Sequence, residues 1–257
     1  MPSEVLVEVC VDSVESAIAS EQGGAQRIEL CSNLPEGGVT PSAGMIAMTR
    51  KRVSIALHVL IRPRAGDFTY SDLEFEVIKR DILLAKQLGA NGVALGVLDS
   101  EGNIDVVRTR ELVSLARPMA ATFHRAFDLT RDPLAALEDV ISTNADRVLT
   151  SGGAETAEKG SANLARLHKA AKGRIQIMAA GNIREHNVRN VLCQTGVREV
   201  HAALHSPVSE DGPTTHKPDL LATAKANDRG RWRVLPETVA VFVSAVAKNA
   251  SSPSPGN

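Results

Sequence analysis

Aromatic residues are scarce in this chain: one Trp, one Tyr and five Phe make up 3% of its 257 residues. Binding of single-stranded nucleic acid relies on aromatic platforms for base stacking, and that supply is missing. An excess of charge of either sign is missing too. Lys and Arg number 29 against 30 Asp and Glu, a formal net charge of −1, so no global field draws the protein to nucleic acid or an anionic membrane. No apolar run approaches the roughly 20 residues that a membrane helix needs. The segment from Met1 to Glu8 enters a strand-like run at once, which leaves no room for a signal peptide. Three cysteines, Cys10, Cys31 and Cys193, cannot all pair within the chain, and their spacing matches no disulfide framework. A globular, cytoplasmic protein with reduced thiols is expected, with neither nucleic acid nor membrane as partner.

What is present is alternation. Apolar residues make up 43% of the chain, ample for a buried core. Eight short apolar runs read as strands: Val5–Val11, Arg27–Cys31, Ser54–Ile61, Gly92–Leu98, Ala120–His124, Arg147–Thr150, Ile175–Ala179 and Arg198–Ala202. Strands covered on both faces by crossover helices read this way. Between them lie helix signals. Thr40-Pro41 and Asp132-Pro133 place a capping residue before a proline. Ser71-Asp72-Leu73-Glu74 reads as a capping box and Asn182-Ile183-Arg184-Glu185 as a weaker one. Leu73, Val77, Ile78, Ile82, Leu84 and Leu88 then recur at helical spacing. Gly24, Gly89, Gly173 and Gly196 fall where left-handed helix ends are expected.

Eight strand–helix units in about 250 residues match a closed (β/α)8 TIM-like barrel of eight parallel strands. The rival, an open doubly wound sheet, calls for a glycine-rich turn after its first strand. Here Cys10-Val11-Asp12-Ser13 stands instead. One barrel domain over residues 1–250 is expected. Residues 206–233 form an irregular insertion, with a short helix over Asp219–Ala226, and 251–257 a flexible tail.

Strand parity separates the faces. The apolar alternates face the helices, so Glu8, Cys10, Arg27, Glu29, Cys31, His58, Leu60, Arg62, Ala94, Gly96, Thr122, His124, Arg147, Leu149, Ser151, Glu199 and His201 face the barrel axis. Strand 7 stays ambiguous between Gln176 and Ile177. An interior so charged requires paired ions, a functional pocket, or both. Barrel sites lie at the C-terminal ends of strands, where Cys10, Cys31, Arg62, Arg64, His124, Arg125, Asp128, Ser151 and His201 fall. Glu8, Arg27, Glu29, His58, Arg147 and Glu199 lie lower and suit a structural network.

With those residues placed, the chain resembles the CutC family, named for copper homeostasis. The matching segments are Glu8-Val9-Cys10, Gly23 through Cys31, Gly37 through Ser42, Ile61-Arg62-Pro63-Arg64, Gly66 through Ser71, Gly96-Val97-Leu98, Thr122 through Asp128, and Arg147 through Gly152. They fall in order between Leu6 and His201. The resemblance implies a TIM-like barrel, a cytoplasmic location and copper handling through the two strand-end cysteines; it implies no reaction. Departures come late: Met178-Ala179-Ala180-Gly181-Asn182 is less glycine-rich than usual, and Ala202-Ala203-Leu204 replaces small hydroxyl residues.

Two chemistries stand side by side. Cys10 and Cys31 end neighbouring strands about 4.8 Å apart, close enough to share Cu(I), the ion that thiolates favour. The bland alternative is two small buried residues in a crowded barrel. Cys193 reads as packing. The other chemistry is acid–base work by His124 and Asp128 on a small anionic metabolite, with Arg62, Arg64, Arg125, Ser151 and Gly152 as its anion-binding set. Its bland alternative is an arginine–carboxylate lattice closing the barrel. Tyr70 lies in a loop able to cover the pocket or merely to cap a helix. His168, His186, His205 and His216 read as solvated. A homo-oligomer is left open.

Overall fold

A computed structural model describes residues 5–208 and 231–247. Eight parallel strands close into a barrel in chain order. They are β1 (Leu6–Val11), β2 (Arg27–Leu30), β3 (Ala56–Leu60), β4 (Gly92–Leu95), β5 (Ala120–Phe123), β6 (Arg147–Thr150), β7 (Gln176–Ala179) and β8 (Glu199–Ala202). The helices are α1 (Val14–Gln22), α2 (Ala43–Arg52), α3 (Asp72–Gln87), α4 (Val106–Ala116), α5 (Pro133–Ser142), α6 (Ser161–Ala171), α7 (Val188–Thr195) and α8 (Pro236–Ala247). Each expected strand is present, shortened by up to three residues at an end. Closure is made by β1 against β8, with Glu8 opposite His201.

The helix-facing alternates form the main core. Val7, Val9, Val11, Ile28, Leu30, Leu57 and Val59 are each at most 1% exposed. Burying such side chains contributes about 1.5–3 kcal/mol apiece before chain entropy is charged. Ser71 caps α3 through a complete capping box, and Asp132 caps α5 by accepting from the N–H groups of Leu134 and Ala135. Gly24, Gly89, Gly173 and Gly196 all have positive φ, as left-handed helix ends require.

Four local expectations are corrected. Helix α2 is capped by Ser42, whose hydroxyl accepts from Met45 N–H, and not by Thr40; the Thr40 hydroxyl instead accepts from Arg62 N–H. Helix α7 starts at Val188, after Asn187, rather than near Asn182, which sits at positive φ. On α3 the buried stripe is Phe75, Ile78, Ile82 and Ala85, while Leu73 is 81% exposed. An apolar run at helical spacing fits more than one rotation of the helix, and packing chooses. Finally, the insertion is not irregular at its ends. Strands β9 (His205–Val208) and β10 (Arg231–Val234) pair antiparallel, with Pro207 opposite Trp232. The helix expected at Asp219–Ala226, His216 and the tail 251–257 lie outside the described residues.

Candidate functional site

The barrel interior holds two kinds of polar side chain. The lower layer is an ion lattice. Arg27 at the start of β2 donates from Nε to Glu8 of β1, and from Nη2 to Glu199 of β8 at 2.5 Å and to the Met178 sulfur at 3.0 Å. That contact settles the parity of β7: Met178, and with it the Gln176 register, faces inward. Arg147 of β6 donates to Glu199 through Nε at 2.6 Å and Nη2 at 3.2 Å, and to Thr122 at 3.3 Å. Burial opposes charge on Glu8, but Arg27, His201 and His58 overcome it and hold the carboxyl well below its usual range. Glu199 is likewise lowered, by Arg147 and Arg27 against burial. His58 is pushed down to about 4 by burial, so it is neutral at pH 7.

Above Glu8 the mouth begins. The sulfurs of Cys10 and Cys31 lie 3.7 Å apart, both buried. His201 of β8 accompanies them: its Nδ1 donates to Glu8 at 2.7 Å, which turns Nε2 toward Cys10 and Glu29. Donor atoms of Cys10, Glu29 and His201 lie within 4.8 Å of one another. Hydrogen bonding to Cys31, then burial, pushes the Cys10 thiol well above its ordinary range. Burial pushes Glu29 up to about 7 against the pull of His201. Bonds to Cys10 and Glu8, with the Glu29 charge, raise His201 well above its usual value despite burial. His201 and Glu29 were not among the sequence-derived metal ligands; their inward parity at strand positions flanking the cysteines was the available signal.

The remaining candidates lie on the β3–β6 side. Arg62, just past β3, is buried and donates from Nη1 to the Glu36 carbonyl at 2.8 Å and the Gly38 carbonyl at 2.7 Å, and from Nη2 to the Gly66 carbonyl at 2.8 Å. Arg64 turns outward to Glu74 at 2.5 Å and Asp67 at 3.0 Å. Arg125 reaches Asp128 at 2.8 Å and the Ser151 hydroxyl at 3.1 Å. The Asp128 carboxylate also accepts from the Thr150 hydroxyl and from the Ser151 and Gly153 N–H groups. Gly152 N–H donates to the Thr150 hydroxyl at 2.9 Å. His124 is buried, and its Nδ1 accepts from Ala126 N–H at 3.3 Å. Among the described residues no hydrogen bond joins His124 to Asp128. The two residues expected to share proton chemistry face different partners.

Strand β4 makes room for two imidazoles. A Cβ at Gly92 would sit 2.5 Å from the His58 ring, and one at Gly96 would sit 2.5 Å from the His124 ring. Cys193 lies exposed on α7, far in sequence from the other two. His186 is exposed as expected, whereas the His205 ring is largely buried, its Nε2 3.6 Å from Asp12.

A closed parallel (β/α)8 barrel with buried thiols and an imidazole at its mouth defines the class. Within that class the match is specific: the CutC family model covers residues 5–206, and the chain belongs to the CutC family. A CutC protein of Chromobacterium violaceum is 50% identical over 204 residues, 79% of this chain and 83% of the relative. The human copper homeostasis protein cutC homolog is 43% identical over 244 residues, 95% of this chain and 89% of the human one. The crystal structure of CutC from Streptococcus agalactiae superposes with a TM-score of 0.73 at 30% identity, over 77% of this chain and 97% of that one.

Proposed function

We propose that this chain takes up Cu(I) as cargo at the barrel mouth, with Cys10 and Cys31 as the sulfur ligands and His201 as a third donor. The observation that carries the reading is the pair of buried sulfurs 3.7 Å apart beside an imidazole already oriented by Glu8. Metal–thiolate bonds run to about 2.3 Å, so both sulfurs can reach one ion. Thiolates are soft ligands and imidazole a borderline one, a set that suits Cu(I). Glu29 offers a hard oxygen, better placed to take a thiol proton or to bond the imidazole than to ligate a soft ion. A carboxylate holding the far nitrogen of a ligand histidine is a recurrent support for metal sites, and Glu8 stands in that position.

Copper handling is also what the names of the human and mouse relatives state. Reduced thiols and Cu(I) both belong in a reducing compartment, so the reading places the protein in the cytoplasm. No helix among the described residues is long and apolar enough to cross a membrane. The alternative, acid–base catalysis by His124 and Asp128, lacks the contact it needs, because Asp128 is turned to the loop after β6.

Competition against a Cu(I) chelator under reducing conditions tests the proposal. Wild type is expected to withdraw one equivalent of Cu(I), Cys10→Ser and Cys31→Ser none, and Cys193→Ser as much as wild type. His201→Phe is expected to bind more weakly. Equal uptake by all variants overturns the site.

A further inference from the structure

The β3–β5 side of the mouth contains polar atoms that the copper reading leaves without a task. Three buried atoms there have no hydrogen-bond partner: Arg62 Nε, His124 Nε2 and the Tyr70 hydroxyl. Their side chains are 4–6% exposed. A buried polar atom without a partner costs about 1–3 kcal/mol, and a fold seldom tolerates several together unless something fills them.

All three are donors. Arg62 has five N–H groups. Three are bound to the carbonyls of Glu36, Gly38 and Gly66, which clamp the guanidinium in one pose. Nε–H is left over. The His124 Nδ1 accepts from Ala126 N–H, which assigns the ring proton to Nε2. Burial, reinforced by the Arg62 charge, pushes that ring down to about 3, so it is a neutral donor at pH 7. Tyr70 feels the same Arg62 charge, yet burial keeps its hydroxyl protonated, with a pKa raised to about 12.

Arg62 and His124 are also neighbours. The Phe68 ring has the Arg62 guanidinium carbon 5.0 Å from its centroid and the His124 ring at 4.9 Å. Phe68 is itself only half-buried. The remaining arginines do not compete. Arg64 is held by Asp67 and Glu74, and Arg125 by Asp128, each an internal carboxylate.

We infer that Arg62 and His124, both against Phe68, form a second site for a small oxyanion carrying a carboxylate or phosphate group, with the Tyr70 hydroxyl as its third donor. Three side chains that can each donate, with one full positive charge and no carboxylate among them, complement an acceptor-only anion. Carbonyls already fix Arg62 and a backbone N–H fixes His124, so the ligand meets preorganised donors.

The test is calorimetric titration and thermal melting of metal-free protein at pH 7 with inorganic phosphate and, separately, malonate, against chloride at matched ionic strength. Saturable binding with a rise in Tm is expected from at least one of them; which one responds identifies the headgroup. Tyr70→Phe and His124→Leu each remove a donor without supplying another, and each is expected to weaken binding roughly tenfold, the loss of one hydrogen bond to a charged partner. Cys10→Ser is expected to bind the anion as wild type does. If neither anion binds at tens of millimolar, or both variants bind as wild type does, the site is overturned and internal water is the better occupant. Should His124→Leu fail to fold, Tyr70→Phe decides alone.

Discussion

The lower and upper halves of the barrel bury comparable numbers of polar side chains but treat them differently. Below, Glu8, Arg27, Arg147 and Glu199 each hold an ion-pair partner within the set. Above, Arg62, His124 and Tyr70 each retain a buried atom with none. A buried charge is tolerable only when paired and hydrogen-bonded. The four ions of the lower half meet that condition among themselves, so their charges act as structure, while His58 Nδ1 beside them has no hydrogen-bond partner. The upper half meets it only in part, and the remainder is what an incoming ion or anion can satisfy. Buried charge by itself does not mark a site, and an unpaired buried atom points to one only where, as at the mouth, several donors stand beside a charge.

The sharpest way to break this contrast is to remove one member of the lattice. Glu8→Gln is expected to cost about 3–5 kcal/mol, because Arg27 and His201 are left buried against a neutral amide. Urea unfolding reads it directly. Replacing Arg147 and Glu199 together by Met should cost far less, since no charge of that pair is orphaned; an equal loss would show that the lattice is not a set of paired charges.

Asp128 comes next. Its carboxylate collects the Thr150 hydroxyl and two N–H groups of the following loop, so Asp128→Ala is expected to cost about 1–3 kcal/mol. A catalytic Asp128 would instead leave stability nearly untouched.

Acid should then separate the halves by slope. Histidines take up protons near pH 6.5 when unfolded, whereas folded His58 and His124 wait until about 4 and about 3. The unfolded chain therefore binds two more protons as pH falls from 6.5, and stability declines. Glu29, held at about 7 in the fold, offsets one of them down to its ordinary value of 4.5. Only below that value do Glu8 and Glu199, both lowered, add their own loss. Unfolding free energies between pH 6.5 and 4.5 are thus expected to fall gently in wild type and to stay level in His124→Gln. A steeper fall in the variant would refute the assignment.

The smallest effect is the most diagnostic. Tyr70→Phe removes a hydroxyl that has no partner, so the metal-free, anion-free protein should change by less than about 1 kcal/mol, and in the stabilising direction. A clear destabilisation would mean that the hydroxyl is satisfied after all.

Much of this was readable beforehand. Eight apolar runs imposed the barrel, and the period of two along each strand placed Glu8, Cys10, Glu29, His58 and His201 on the axis. Parity reports direction but not partner. That is why Arg62 read as free to bind an anion with all of its donors, although carbonyls of Glu36, Gly38 and Gly66 take three of them. Loop carbonyls belong to every residue type, so no side-chain pattern announces them. The same holds in part for Asp128, whose partners include, besides Arg125 and the Thr150 and Ser151 hydroxyls, backbone N–H groups of a loop 23–25 residues away. Strands β9 and β10 lack the apolar run that marks the barrel strands: one contains Pro207 and the other carries Arg231 and Arg233.

The two glycines of β4 and the segment just beyond it carry a consequence for inheritance. Gly92 and Gly96 leave no room for a methyl group because imidazoles occupy the volume each would fill. A change at Gly96 is thus permitted only in company with a change at His124, and likewise Gly92 with His58. Each pair behaves as a single heritable character, and a lineage that exchanged its imidazole for a smaller side chain would be free, from that moment, to lose the glycine.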